Sequence, residues 1–162
     1  MSLTNSDLQY YDGNVLRLPS EKRTEYHAQV DNLITELRKH ITSNSDLKIA
    51  KVVKAGSFAK YTILKKTVDD PIDVDIVFYI SNKNVDNSTL DNLNDLIYTL
   101  LTKIYPTKAV EDFEIQRRAA TVTFVKSGLS VDVVPVIQDA QEPNHGWQYD
   151  LKTKEKNLTC AP

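Results

Sequence analysis

Apolar residues recur at helical spacing in two long segments of the chain, and both are predicted to form amphipathic helices. In the first segment, Ser20 is the expected N-terminal cap and the polar residues 44–46 break the helix. Its apolar stripe consists of Tyr26, Val30, Leu33, Ile34, Leu37 and Ile41. In the second segment, Ser88 is the expected cap and Pro106 ends the helix. Its apolar stripe consists of Leu90, Leu93, Ile97, Leu100, Leu101 and Ile104.

Four runs rich in branched and aromatic residues predict strands. Residues 47–55 form a mixed apolar and lysine run that ends at Gly56, and residues 72–80 have the composition of a largely buried strand. Residues 119–125 and 129–137 are joined by a glycine-containing stretch that predicts a hairpin turn. The order of these elements predicts an α+β fold, in which helices cover one side of a mixed β-sheet.

The C-terminal residues show neither pattern. From residue 138 the chain is polar, contains Pro143 and Gly146, and has little periodicity. We therefore expect residues 138–162 to be an excursion over the surface beside a core at about residues 16–137. A length of 162 residues favours a single domain over the whole chain, residues 1–162.

Composition narrows the functional classes. A formal net charge of −2 provides no global attraction to polyanions, so a nucleotide or nucleic acid must be bound by a local patch. The single cysteine, Cys160, excludes an internal disulfide framework and fits a reducing compartment. Residues 1–14 contain no basic region followed by an apolar one, and no run in the sequence approaches the ~20 apolar residues of a membrane span. We therefore expect a cytoplasmic protein with no membrane partner.

Three aspartates stand in the predicted strands. Asp73 and Asp75 are two residues apart and face the same side of their strand, although solvated carboxylates on an edge strand would look the same. Asp132 lies in a valine-rich run with no other charge, where it needs a partner or caps backbone amides. If the two strands are neighbours, the carboxylates converge and suit two Mg²⁺ or Mn²⁺ ions about 3.5–4 Å apart.

A Gly-Ser pair precedes the Asp-X-Asp strand. Gly56 lets phosphate approach the backbone, and Ser57 supplies a hydroxyl at the start of a predicted helical turn, where the helix dipole favours anions. Lys60 belongs to a basic stretch around this turn and could contact a triphosphate, although such lysines are usually solvated. A loop glycine followed by a capping serine is the alternative interpretation of the pair.

Together these motifs resemble the polymerase-β-like nucleotidyltransferases, whose signature is Gly-Ser, a following Asp-X-Asp and a third Asp on a later strand. The fold implied is that superfamily's mixed β-sheet catalytic core. Within it, residues 55–60, 73–80 and 128–136 look most like bacterial CD-NTases, which synthesise cyclic oligonucleotide signals in antiphage defence (CBASS).

The resemblance implies a role for each motif residue. Asp73 and Asp75 would bind both divalent cations, and Asp132 would help bind the catalytic one and activate the 3′-hydroxyl. Gly56 and Ser57 would hold the β- and γ-phosphates, with Lys60 near the nucleotide. The expected cofactors are two Mg²⁺ or Mn²⁺ ions.

The implied activity joins ribonucleoside triphosphates into a cyclic oligonucleotide and releases pyrophosphate. Expected partners are the triphosphates and proteins of a defence system, with nucleic acid less favoured. The family continues into a C-terminal helical domain, which we expect to be absent from these 162 residues. Two alternatives remain: a minimal nucleotidyltransferase that modifies a protein or RNA acceptor, and a nucleotide-binding module without catalysis.

Overall fold

The described part of the computed structural model covers residues 4–59, 71–83, 85, 91–150 and 152–160. It begins with helices interspersed with two strands and ends with five consecutive strands. The helical elements are α1 (Asn5–Tyr11), a π-helical turn (Asp12–Leu16), α2 (Ser20–Asn44), α3 (Gly56–Ala59), α4 (Leu93–Ile104) and a 3-10 turn (Val110–Asp112). The strands are β1 (Ile49–Ala55), β2 (Ile72–Ile80), β3 (Phe113–Ile115), β4 (Ala120–Phe124), β5 (Leu129–Gln138), β6 (His145–Asp150) and β7 (Glu155–Cys160).

The described strands form one seven-stranded mixed sheet. Its main order is β1-β2-β5-β4-β3, and β6 pairs with β5 and with β7. β2 and β5 are parallel, whereas the other pairs are antiparallel. The sheet confirms the predicted α+β class with a mixed sheet.

α2 and α4 pack on the same face of the sheet, as the apolar patterns predicted. Their apolar stripes join the alternate residues of the central strands in one buried core. From the strands this core takes Val74, Ile76 and Phe78 of β2, Ala120, Val122 and Phe124 of β4, and Leu129, Val131 and Val133 of β5. Because side chains alternate along a strand, the intervening residues point to the opposite face. Asp73, Asp75 and Asp132 are among those intervening residues.

The helix boundaries differ slightly from the predictions. α2 begins at Ser20, but its N-cap is Pro19 and no side chain caps the first turn, so the prediction of Ser20 as the cap is wrong by one residue. α4 ends at Ile104, before Pro106, as expected. Ser88, the predicted cap of that helix, lies outside the described residues. Within the described ranges, no helix combines the length and apolarity that crossing a membrane requires.

The prediction of a surface excursion at residues 138–162 is wrong for most of that segment. β6 and β7 form an antiparallel ribbon that joins the sheet through the end of β5. The buried positions of β6 are Gly146, Gln148 and Asp150, a glycine and two polar residues. An apolar pattern could not reveal this strand, because its inward side is held by hydrogen bonds and close backbone packing.

Asp150 anchors the β6–β7 ribbon to the turn between β3 and β4. Its side chain is fully buried, and its carboxylate accepts hydrogen bonds from Arg117 Nε at 2.7 Å and from Arg118 Nη2 at 3.0 Å. The backbone N–H groups of Lys152 and Thr153 also donate to it. Arg117 is the main cause of a pKa for Asp150 well below the usual range of an aspartate. This network explains why so polar a segment is ordered.

We expect Asp150→Asn to lower the melting temperature by roughly 5–10 °C, because the buried side chain loses the charge that pairs it with Arg117 and Arg118. The carboxylate stabilises the fold above its unfolded pKa of about 3.9, and this contribution is lost as the pH falls through the lower folded pKa. Thermal unfolding from pH 7 to pH 3 measures the difference, which should shrink toward the acid end. Glu155→Gln, an exposed change in the same ribbon, is the control. Equal melting of both variants at pH 7 would contradict the anchor.

Candidate active site

Asp75 and Asp132 lie side by side on neighbouring strands. The parallel register of β2 and β5 pairs Asp75 with Asp132 and Asp73 with Ser130. Paired positions on adjacent strands face the same side of a sheet, as do residues two apart along one strand. The three carboxylates therefore share one face, and the predicted adjacency of their two strands is confirmed.

The acidic face is the one opposite α2 and α4. Asp73 is exposed, whereas Asp75 and Asp132 are half-buried. Farther along the same strands, this face continues into a small apolar cluster whose buried members are Ala55, Val77, Tyr79 and Val136. The carboxylates thus lie at the edge of this apolar cluster, where they lose part of their hydration.

Burial and the charges of neighbouring carboxylates act on the two half-buried aspartates. Burial raises the pKa of Asp75, and the nearby charge of Asp73 raises it further. Burial also raises the pKa of Asp132; a hydrogen bond from Thr121 opposes this rise, while the charges of Asp75, Asp73 and Glu114 add to it. Both groups would therefore gain from a cation bound at this face.

Thr121 is a site residue that the motif analysis missed. β4 pairs Thr121 with Asp132, and Thr121 Oγ1 donates to Asp132 Oδ1 at 2.6 Å. β3 then pairs Glu114 with Thr121, so a polar row runs across four strands from Glu114 to Asp75. The available signal was the hairpin register, because a turn centred between residues 124 and 129 sets position 121 opposite position 132.

Gly56 brings the backbone of the turn after β1 against the carboxylates. It has a φ of +65°, and a Cβ built on it would lie 3.0 Å from Asp75 Oδ2. A side chain at this position would therefore be strained by the backbone and crowded by Asp75. Ser57 follows in α3, and Lys60 lies outside the described residues.

α3 is held to α2 by an aromatic contact. The Phe58 ring is fully buried, and its centroid lies 4.1 Å from that of the His27 imidazole on α2. Burial lowers the pKa of His27, and the charge of Lys54 lowers it further. Lys54 in turn pairs with Asp31 on α2 at 2.6 Å. The contacts with α2 therefore fix the position of the Gly56–Ala59 turn beside the carboxylates.

The donor set of the acidic face fits Mg²⁺ or Mn²⁺, which prefer oxygen ligands. In the described part of the chain, no three His, Cys, Asp or Glu side chains are already arranged to hold an ion. However, Mg²⁺ usually takes one or two carboxylates and completes its coordination with water and substrate phosphates. Asp73, Asp75 and Asp132 can provide the protein share of such a site.

Comparison with known proteins gives relatives along the whole chain. The family model described as "Second Messenger Oligonucleotide or Dinucleotide Synthetase domain" (SMODS) matches residues 1–162. A CBASS oligonucleotide cyclase CdnC from Escherichia coli (strain KTE188) is 56% identical over 162 residues, covering 100% of this chain and 52% of the relative. A cyclic AMP-AMP-AMP synthase from E. coli (strain MS 115-1) is 30% identical over 122 residues, 75% of this chain and 36% of the relative. The chain thus spans about half or less of the curated relatives it matches.

Solved structures of this group share the fold. The complex of E. coli MS115-1 CdnC with HORMA-deltaN matches with a TM-score of 0.67 and 25% identity, covering 96% of this chain and 46% of that one. GTP-bound Vibrio cholerae DncV, at 13% identity, matches in fold with a TM-score of 0.66 and covers 90% of this chain and 53% of that one. With the family model matching every residue, the chain belongs to the SMODS family of second-messenger oligonucleotide or dinucleotide synthetase domains.

Proposed function

We propose that this chain carries the catalytic centre of a metal-dependent nucleotidyltransferase. It joins ribonucleoside triphosphates into a cyclic oligonucleotide signal for antiphage defence and releases pyrophosphate. The relative that is 56% identical is named a CBASS oligonucleotide cyclase, which supports this reaction class. Triphosphate substrates and a single cysteine suit a cytoplasmic site of action.

One observation carries the proposal: Asp75 and Asp132 are paired on adjacent strands beside the Gly56 turn. Like-charged carboxylates this close, both with a raised pKa, are unfavourable for folding and favourable for binding cations. The glycine backbone adjoining Asp75 leaves room for a phosphate chain beside those cations. The arrangement therefore suits a metal–triphosphate complex better than it suits a purely structural role.

In the proposed reaction, a ribose hydroxyl oxygen attacks the α-phosphorus of a triphosphate. A new phosphorus–oxygen bond forms, the bond between the α-phosphorus and the bridging oxygen breaks, and pyrophosphate leaves while the hydroxyl proton passes to water. Asp73 and Asp75 would hold the divalent cations, and Asp132 would help to hold the one that activates the hydroxyl. When bound, the ions would make the hydroxyl more acidic and offset the charge of the leaving pyrophosphate.

The turn that starts at Gly56 is proposed to hold the β- and γ-phosphates. Its backbone amides and the hydroxyl of Ser57 supply donors, while Lys60 supplies positive charge. The φ of Gly56 lets the chain leave β1 and turn beside Asp75. Phosphate and cation would then be bound on adjoining elements of the same face.

A protein partner is also proposed. The related CdnC of E. coli MS115-1 was solved in complex with HORMA-deltaN. We infer that the protein containing this chain likewise works with a partner of its defence system.

Replacing Asp75 tests the reaction directly. We expect Asp75→Asn to reduce the formation of labelled oligonucleotide by more than about 100-fold, since loss of a metal ligand should cost at least as much as loss of a residue that hydrogen-bonds such a ligand. Chromatography of products from the four α-labelled ribonucleoside triphosphates, with Mg²⁺ or Mn²⁺, measures this. Asp95→Asn on α4 is the control, because α4 covers the opposite face. Undiminished turnover by Asp75→Asn would refute the site, and label on protein or RNA would indicate the other acceptors.

Without divalent cations, Asp75→Asn should raise the free energy of unfolding by about 0.2–1 kcal/mol, because solvent screens part of the repulsion on a half-exposed carboxylate. Burial and Asp73 raise the folded pKa of Asp75, so its ionised form is a cost that is fully present above that pKa. The cost disappears as the pH falls below the unfolded pKa of about 3.9. Denaturant unfolding in EDTA at several pH values tests the sign. The metal site is wrong if Mn²⁺ stabilises the parent no more than it stabilises Asp75→Asn.

Gly56→Ala tests the turn, with Gly128→Ala as its control. Both glycines have positive φ, at 65° and 70°, so alanine should destabilise each by about 1 kcal/mol or more. Only the Cβ at Gly56 would crowd Asp75; at Gly128 the nearest atom is Tyr26 Oη at 3.8 Å. We expect Gly56→Ala alone to weaken Mg²⁺-ATP binding in calorimetry. Equal weakening by both variants would mean that the turn has no specific role.

A further inference from the structure

Thr121 contacts the acidic face from the strand on the far side of Asp132. Its hydroxyl donates to Asp132 Oδ1 over 2.6 Å, a length typical of strong hydrogen bonds to an ionised carboxylate. The residue is only 4% exposed, so water does not compete freely for this bond. The β-branched side chain of threonine also has few rotamers, which fixes the direction of the hydroxyl.

The carboxylate of Asp132 therefore has different neighbours on its two sides. On the β4 side it accepts the Thr121 hydrogen bond, and on the β2 side it is paired with Asp75, which has the same charge. Repulsion from Asp75 favours turning the Asp132 carboxylate away from the neighbour with which it must share cations. The hydroxyl counters that rotation by holding one oxygen atom in place.

We propose that Thr121 is a positioning residue, whose hydroxyl holds the Asp132 carboxylate in the orientation that binds a divalent cation. This inference rests on the proposed function, since it assigns Thr121 a role through a carboxylate proposed as a metal ligand. A purely structural hydrogen bond would affect only the stability of the β4–β5 pair. A positioning bond affects metal affinity and needs a hydroxyl, but not specifically a threonine.

Thr121→Val and Thr121→Ser separate the two roles. Valine keeps the branched shape without the hydroxyl, and serine keeps the hydroxyl without the methyl group. The matched control is Thr123→Val on the same strand and face, because Thr123 is paired with Ser130 and not with an aspartate. Melting temperatures show the structural effect of each change, and Mn²⁺ binding by the folded chain is measured by electron paramagnetic resonance of the free ion.

We expect Thr121→Val to bind Mn²⁺ about 10–100-fold more weakly, as is usual when the partner of a metal ligand is removed. Thr121→Ser and Thr123→Val should bind Mn²⁺ as the parent does. In an Asp132→Asn background, Thr121→Val should cause no further loss, because its effect passes through that carboxylate.

The outcomes separate this inference from the proposed function. If Asp132→Asn weakens Mn²⁺ binding while Thr121→Val does not, Thr121 is not a positioning residue and the metal site stands. The inference is also overturned if Thr121→Val and Thr123→Val weaken Mn²⁺ binding equally, or if Thr121→Ser binds Mn²⁺ as weakly as Thr121→Val does. If Asp132→Asn binds Mn²⁺ as the parent does, the proposed metal site is wrong and the role of Thr121 is wrong with it.

Discussion

The register of the parallel pair β2–β5 determines the chemistry of this molecule. It places Asp75 beside Asp132 and turns both away from the helices. A slip of one residue in either strand would move its aspartate to the helix-covered side and expose the valines that now lie in the core. The core residues Val74, Val131 and Val133 thus specify where the carboxylates lie without touching a substrate. The alternation of side chains along β2 and β5 therefore determines both the core on one face of the sheet and the carboxylates on the other.

That placement carries an electrostatic cost, and the rest of the fold must tolerate it. Asp75 and Asp132 lose hydration at the edge of an apolar cluster, and the charge of Asp73 acts on both, so the pKa of each is raised. Such a conflict is typical of positions kept for function, because the stability comes from elsewhere. Here it comes from the core under α2 and α4, which lies across the sheet from the carboxylates. Because the core and the carboxylates lie on opposite faces of the sheet, the repulsion among the carboxylates does not weaken the packing of the core.

Periodicity predicted the parts of the fold whose inward side is apolar, and it failed where that side is polar. α2, β2 and β5 were recognisable because apolar residues mark their buried faces. β6 was not, since Gln148 and Asp150 fill its buried positions. The three aspartates were recognisable as candidates from their strand context, whereas Thr121 becomes a candidate only when the register of the β4–β5 hairpin is worked out. The periodicity of apolar residues indicates which side of a segment is buried, whereas a hydrogen bond between distant segments leaves no periodic signal in either of them.

Asp150 has surroundings of a different kind from those of Asp75 and Asp132. Asp150 is fully buried, yet its pKa is lowered, because Arg117, Arg118 and two backbone amides satisfy its charge. Asp75 and Asp132 are less buried, but their pKa values are raised, since burial and like charges act on both and outweigh the hydrogen bond from Thr121 to Asp132. The ionised form of aspartate is thus stabilised at position 150 and destabilised at positions 75 and 132. Repelled anions on one face gain from a positive charge that a ligand can bring, so the direction of the pKa shift distinguishes the anchor of β6–β7 from the carboxylates proposed to bind a cation.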